Sequence, residues 1–322
     1  MENAECSERN CDNPVRTRGM CGKHYKRWIR RTPKSARPPS LREDRSRHPD
    51  IRHALHVFDP GKPEMAYLLG FLQTDGTYMR NGPGKGRISI ELAARDINIL
   101  NAFQRLVPYP TSITMRSRTT NFSKGVYTSA VWSLGVAEAR HALEALGLPP
   151  GRKSAIIKPP NRPFSEPDYV RALIDADGSV GFTGKGLPFV SFTTASPQLI
   201  AYVCAKVFEV TGVRRTVRPN QRDSIYNLLL TCESAVRFAH WIYYEGCLAL
   251  ERKHLKAVEV IGWVRPPGMK RQTPRRSWTP REDRVALTLP IAEAARRLRR
   301  TESSVAVRRH RLRTGVVRVR DG

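Results

Sequence analysis

Two short runs carry acid where an apolar pattern stops: "LLGFLQTDG" at 68–76 and "VRALIDADG" at 170–178. Both patterns read as helices that end at Asp-Gly, which puts Asp75 and Asp177 at helix C-termini. The dipole disfavours a carboxylate there by about 0.3–1 kcal/mol, and a bound divalent cation reverses the sign of that interaction. Paired carboxylates in a basic chain suit metal-assisted phosphodiester hydrolysis, in which the cation polarises the phosphate, activates water and stabilises the leaving oxygen. Lys153 and Lys253, in the matched runs "GRKSAIIK" and "ERKHLKAV", are candidates to stabilise charge developing in the transition state. A second chemistry lies near the start of the chain. Cys6, Cys11, Cys21 and His24 offer three thiolates and an imidazole, a closed set for a structural tetrahedral zinc ion.

The elements that position the acids occur twice. Gly76 and Gly178 stand 102 residues apart, and each is followed by a β-rich segment, 86–94 and 187–195. A helical pattern comes next in each half, at 95–107 and 196–210, then a basic hairpin, at 112–134 and 214–231, then a second helix. The expected fold is α+β: two α-β-β-α-β-β-α repeats, 59–160 and 161–264, about a pseudo-twofold axis. The spacing predicts left-handed caps at Gly76 and Gly178. Gly70 and Ala172 are small enough to let the two motif helices approach closely.

The formal net charge is +27. Residues 265–322 hold 17 Lys and Arg against 5 Asp and Glu, and residues 1–58 hold 14 against 7, so the ends are the most charge-dense parts. Such a surplus points to a polyanion, nucleic acid first, held through phosphate contacts and counterion release. No apolar run approaches the ~18 residues of a spanning helix. Without an apolar leader after Met1-Glu2-Asn3, a cytoplasmic location and free thiols at Cys204, Cys232 and Cys247 are expected. Pro-rich, charged stretches predict linkers at 32–58 and 265–276, which divide the chain into a head (1–31), a body (59–264) and a tail (277–315).

Over 59–264 the chain resembles the LAGLIDADG homing endonucleases, with 68–76 and 170–178 at the two motif positions. The resemblance implies a monomeric double-strand DNA endonuclease of the mobile-intron type, whose paired sheets straddle a long duplex site. It implies Mg2+ or Mn2+ on Asp75 and Asp177, lysines at Lys153 and Lys253, and a polar strand residue around Glu91 and Ser191. Arg116, Arg118, Arg215 and Arg218 in the basic hairpins are candidate DNA contacts. Gln73 stands where the family has its first motif acid, and Ala172 where it has glycine. A non-cleaving transcription regulator or an RNA maturase on the same fold is the alternative. "LIDADGSV" taken alone also looks like the first motif of haloacid dehalogenase phosphatases, with Asp175 as nucleophile; Gln73 at the matching position of the other repeat argues against that reading.

The head resembles the small Cys3His modules of phage-type endonucleases and places Lys23, Lys26, Arg27 and Arg30 toward DNA phosphates. The tail, "SWTPRED" followed by "AARRLRRTESSVAVRRHRL", resembles Myb/SANT-like helix-turn-helix modules. Thr301 is the predicted N-cap of its last helix, and Arg308, Arg309, Arg311 and Arg313 are its candidate DNA contacts.

Overall fold

The two motif runs form helices that are apolar on nearly every side, and that decides where they sit. In the computed structural model, α3 (Pro63–Thr74) buries every residue from Met65 to Gln73, and α6 (Glu166–Asp177) every residue from Asp168 to Asp175. They pack against each other at their small residues. A Cβ at Gly70 would lie 2.9 Å from the Ala172 Cβ and 2.9 Å from the Tyr169 carbonyl oxygen. The structure describes residues 6–8, 11–15, 18–33, 36, 51–80, 82, 85–120, 123–269 and 276–317. The chain divides into two compact units, Met1–Arg265 and Pro266–Gly322.

The first repeat has the expected order. After α3 come β1 (Gly76–Arg80), β2 (Gly86–Ala93), α4 (Ile97–Leu106), β3 (Thr111–Thr120), β4 (Ser123–Leu134) and α5 (Ala137–Ala145). The strands form an antiparallel sheet in the order β1-β2-β4-β3. Period-2 alternation sends Ile88, Ile90, Ala130, Trp132 and Leu134 into the core, and leaves Arg87, Ser89, Glu91, Arg116 and Arg118 on the other face.

The second repeat departs from that order. After α6 come β5 (Gly178–Phe182), β6 (Pro188–Thr194), α7 (Pro197–Thr211), β7 (Tyr226–Thr231) and α8 (Cys232–Ile242), with a three-stranded sheet β5-β6-β7. The segment expected as the first strand of the second hairpin, 214–221, is irregular. Pro219 cannot donate to a ladder and favours an edge or a turn, and a turn closes with Asn220 N–H donating to the Ile225 carbonyl at 2.9 Å. α9 (Glu251–Ile261) follows and carries Lys253.

Around this body, the head contributes α1 (Gly22–Arg31). Part of the first predicted linker is folded. α2 (Arg52–Val57) and Phe58 bury Ala54 and Phe58 in the first repeat's core. The rest of that stretch, 34–35 and 37–50, and residues 270–275 of the second linker lie outside the described residues. Among its described residues, the second unit has three helices, α10 (Pro280–Thr288), α11 (Ile291–Leu298) and α12 (Glu302–Arg313), around Ala286, Ala294, Ala295 and Val305. Among the described residues, no helix is long and apolar enough to cross a membrane.

Candidate active site and nucleic-acid interface

Asp75 is the C-cap of α3 and Asp177 the last residue of α6, so both carboxylates stand where helix carbonyls point. The glycines after them are not left-handed caps as predicted. Gly178 is extended (φ −119°), and Gly76 is absent from the positive-φ glycines. Glycine is needed there for lack of space. A Cβ on Gly76 would lie 2.4 Å from the Leu72 carbonyl oxygen, and one on Gly178 would lie 2.5 Å from the Ser191 carbonyl oxygen and 2.8 Å from the Ile174 Cα. The chain leaves each helix straight into a strand, over the helix's own last turn.

The last carbonyls of a helix lack intrahelical partners, and the two buried lysines supply them. Lys153 Nζ donates to the Gln73 and Thr74 carbonyls, both at 2.7 Å. Lys253 Nζ donates to those of Ile174 (2.9 Å), Asp175 (2.5 Å) and Gly178 (2.8 Å). Lys153 comes from a non-helical strap and Lys253 from the first turn of α9, yet each caps the motif helix of its own repeat.

These four groups feel one another. Burial pushes the Asp177 carboxyl up to about 6, the Asp75 charge adds to the rise, and Lys153 and Lys253 oppose it. Asp75 is raised by burial against the pull of Lys253, Lys153 and Arg252. Burial lowers Lys153 to about 8 while Asp177 and Asp75 resist, and it lowers Lys253 as well. Two acids held reluctant to ionise beside two reluctant ammonium groups form a poised electrostatic cluster. The donor set, two carboxylates open to solvent on one side, fits a hard cation that keeps water and phosphate oxygens as its other ligands.

Asp175 is not free for nucleophilic chemistry. It is buried and accepts from Tyr67 Oη (2.6 Å), Tyr243 Oη (2.6 Å) and Leu250 N–H (2.9 Å). Gln73, its repeat counterpart, accepts from Tyr169 Oη and donates to the Gly147 carbonyl at 2.8 Å. The phosphatase reading loses its nucleophile here. Tyr67 and Tyr169 stand 102 residues apart and bond crosswise between the motif helices, a pairing the repeat spacing makes findable. Arg171 was hidden inside an apolar run. It is wholly buried, paired with Asp168, and donates to the Ile242 and Leu248 carbonyls at 2.7 and 2.8 Å.

Strand register separates the two polar strand candidates. Gly76 faces Ile90 and Gly178 faces Phe192, so the counterpart of Glu91 is Thr193, and that of Ser191 is Ser89. Glu91 accepts from Ser129 Oγ at 2.7 Å and pairs with Arg116 (3.3 Å) and Arg118 (3.5 Å) on the open sheet face. In the irregular segment Arg218 is exposed, but Arg215 turns inward with Val213 and Val217, its Nε buried and unpartnered. Alternation along 213–218 gives the outward place to Arg214 rather than Arg215.

In the head, the ligand atoms of Cys6, Cys11, Cys21 and His24 lie within 4.8 Å of one another. His24 presents Nδ1, 3.4 Å from Cys6 Sγ and 3.6 Å from Cys21 Sγ. Cys21 is the N-cap of α1, and Lys23, Lys26, Arg27 and Arg30 follow along one exposed face.

In the second unit, Thr301 caps α12 as predicted, accepting from Ser304 N–H at 3.2 Å. Arg308 and Arg309 are not free for DNA. Arg308 grips the buried Asp283 through two bonds of 2.7 Å, and Arg309 donates to the Ala286 and Leu289 carbonyls. The Arg300 and Arg308 guanidinium groups both stand over the Trp278 ring, at 4.1 and 5.6 Å from its centre. Arg311 and Arg313 are exposed, as are Arg296, Arg297 and Arg299 at the end of α11.

The geometry thus defines an α+β body whose two motif helices present paired acids and lysines at one end. Residues 167–243, within the second repeat, match the family described as the LAGLIDADG-like domain. No match is found among curated proteins. Among solved structures, the homing endonuclease I-WcaI bound to its DNA recognition sequence overlaps with a TM-score of 0.43 at 10% identity, over 66% of this chain and 95% of that one. The meganuclease I-SmaMI bound to uncleavable DNA overlaps at 0.41 and 11%, over 62% and 87%. Full-length DUF199/WhiA from Thermatoga maritima overlaps at 0.37 and 13%, over 86% and 100%. At this level the overlaps carry no functional argument.

Proposed function

We propose that the chain is a divalent-metal-dependent, site-specific double-strand DNA endonuclease of the homing type. The observation that carries this reading is the electrostatic cluster of Asp75, Asp177, Lys153 and Lys253 at the ends of two closely packed helices. A protein that only binds DNA gains nothing from two carboxylates held against phosphate. When bound, Mg2+ or Mn2+ supplies Lewis-acid polarisation of the phosphate and an activated water. Asp75 and Asp177 hold that charge. Lys153 and Lys253, anchored by helix carbonyls, offer positive charge to the developing oxyanion. Arg116 and Arg118 face the duplex from the first sheet, and Arg218, with Arg214 in place of Arg215, faces it from the irregular segment.

The head and the second unit extend the grip on a long site. Cys6, Cys11, Cys21 and His24 hold structural zinc, which orients the basic face of α1. The second unit acts as a helix-turn-helix in which α12 enters the major groove, with Arg311 and Arg313 outward and Arg308 and Arg309 retained for folding. Purified protein is expected to carry one zinc per chain by elemental analysis, and Cys11→Ser is expected to lose it; an unchanged metal content would remove the ion from the head.

The deciding experiment is Mg2+-dependent cleavage of a randomised duplex library. Double-strand cuts at one long site, reduced to nicks or lost in Asp75→Asn and in Asp177→Asn, are the expected result. Specific binding without cutting, identical in both variants, overturns the nuclease reading in favour of a regulator.

A further inference from the structure

Gln73 and Asp175 occupy the same place in the two repeats, yet one is an amide and the other an acid. Their partners explain the difference. Asp175 meets three donors, Tyr67 Oη, Tyr243 Oη and Leu250 N–H, and a carboxylate accepts from all three. Gln73 meets one donor, Tyr169 Oη, and two acceptors, the carbonyls of Gly147 (2.8 Å) and Lys158 (3.4 Å). Only a side chain that both accepts and donates satisfies that set.

What the two side chains hold is the further point. Gly147 and Lys158 flank Lys153 on the strap, so the Gln73 amide bonds the strap on both sides of the lysine. The backbone carbonyl of Gln73 then receives Lys153 Nζ at 2.7 Å. Asp175 does the equivalent on the other side. It takes the N–H of Leu250, the N-cap of the helix bearing Lys253, and its carbonyl receives Lys253 Nζ at 2.5 Å. We propose that Gln73 and Asp175 are positioning residues, each fixing the lysine of its own repeat against the motif helix end. The amide-for-acid exchange at 73 is then a fitted counterpart of Asp175 and leaves both lysines held. That the lysines act on phosphate rests on the nuclease reading; the clamp itself does not.

The test reads the two lysines separately in the full-length protein. Wild type, Gln73→Glu and Asp175→Asn are labelled briefly with an amine-acylating reagent, and modification at each lysine is followed by peptide mass spectrometry. Gln73→Glu keeps the acceptor for Tyr169 and the side-chain volume but loses the donor. It is expected to raise labelling of Lys153 by about threefold or more with Lys253 unchanged, and Asp175→Asn to do the reverse. Gln73→Met, apolar and similar in size, replaces the first variant should that one not fold. Labelling that rises at both lysines together, or at neither, overturns the proposal. In a cutting protein, Gln73→Glu also slows one strand selectively. Absence of any wild-type cutting would sink the nuclease reading while the labelling pattern still decides the clamp.

Discussion

At the scale of single residues, the cluster is held together at a cost to the fold. Asp177 has its carboxyl raised to about 6 by burial and by Asp75, well above the ordinary aspartate value. The folded state therefore binds more protons than the unfolded chain between pH ~4 and ~6, and stability falls as pH rises through that window. Asp177→Asn is expected to raise the stability of the metal-free protein at pH 7.5 by about 1 kcal/mol, the shift being discounted because Asp177, though crowded by protein on its helix side, keeps a face open to screening solvent. The gain should vanish below pH ~4 and shrink in saturating Mg2+, which stabilises only the wild-type pair. Thermal melts at three pH values with and without Mg2+ decide this; a variant no more stable than wild type would mean that the carboxylate is not strained. Residue type and spacing alone pointed to the acids, the lysines and the Cys3His group of the head, and the fold brings each set together. Arg308 and Arg309 were misread for the same reason. An arginine that stacks on Trp278 and grips Asp283 looks, in sequence, like one that faces phosphate.

Whole elements were legible where periodicity is strong, and the motif helices, the first sheet and the three tail helices follow from it. The irregular segment at 214–221 was not, because its place in the repeat matches the basic hairpin of the first half. Pro219 is the residue that argues otherwise. The helix-to-strand junction is the clearest case of a right residue with a wrong reason. Gly178 serves close approach rather than left-handed backbone, and two substitutions separate these roles. At a left-handed cap asparagine is tolerated better than alanine. Where a Cβ would meet the Ser191 carbonyl oxygen at 2.5 Å, both fail alike. Gly178→Ala and Gly178→Asn are each expected to cost about 1–3 kcal/mol in denaturant unfolding. A markedly milder asparagine would restore the left-handed cap.

For the whole molecule, the proposed nuclease reading makes catalysis and grip separable. Among the described residues, every member of the first unit's two cores lies before Arg265, so deleting the second unit takes nothing from those cores. Deleting Pro266–Gly322 removes 16 of the 56 Lys and Arg residues, counted from the sequence. Of these, Arg300, Arg308 and Arg309 are committed to internal bonds, which leaves exposed guanidinium groups such as Arg296, Arg297, Arg299, Arg311 and Arg313 to meet phosphate. Each phosphate contact adds about 0.9 to the slope of log K against log salt concentration. The truncated protein is therefore expected to cut the same central sequence at low salt, with weaker binding at physiological salt and a slope shallower by about 3 to 5. An unchanged slope would show that the second unit does not touch DNA and that its basic residues are only a solvated surface. A shallower slope with cleavage retained would assign the hold on the duplex to the second unit and the proposed cutting to the first.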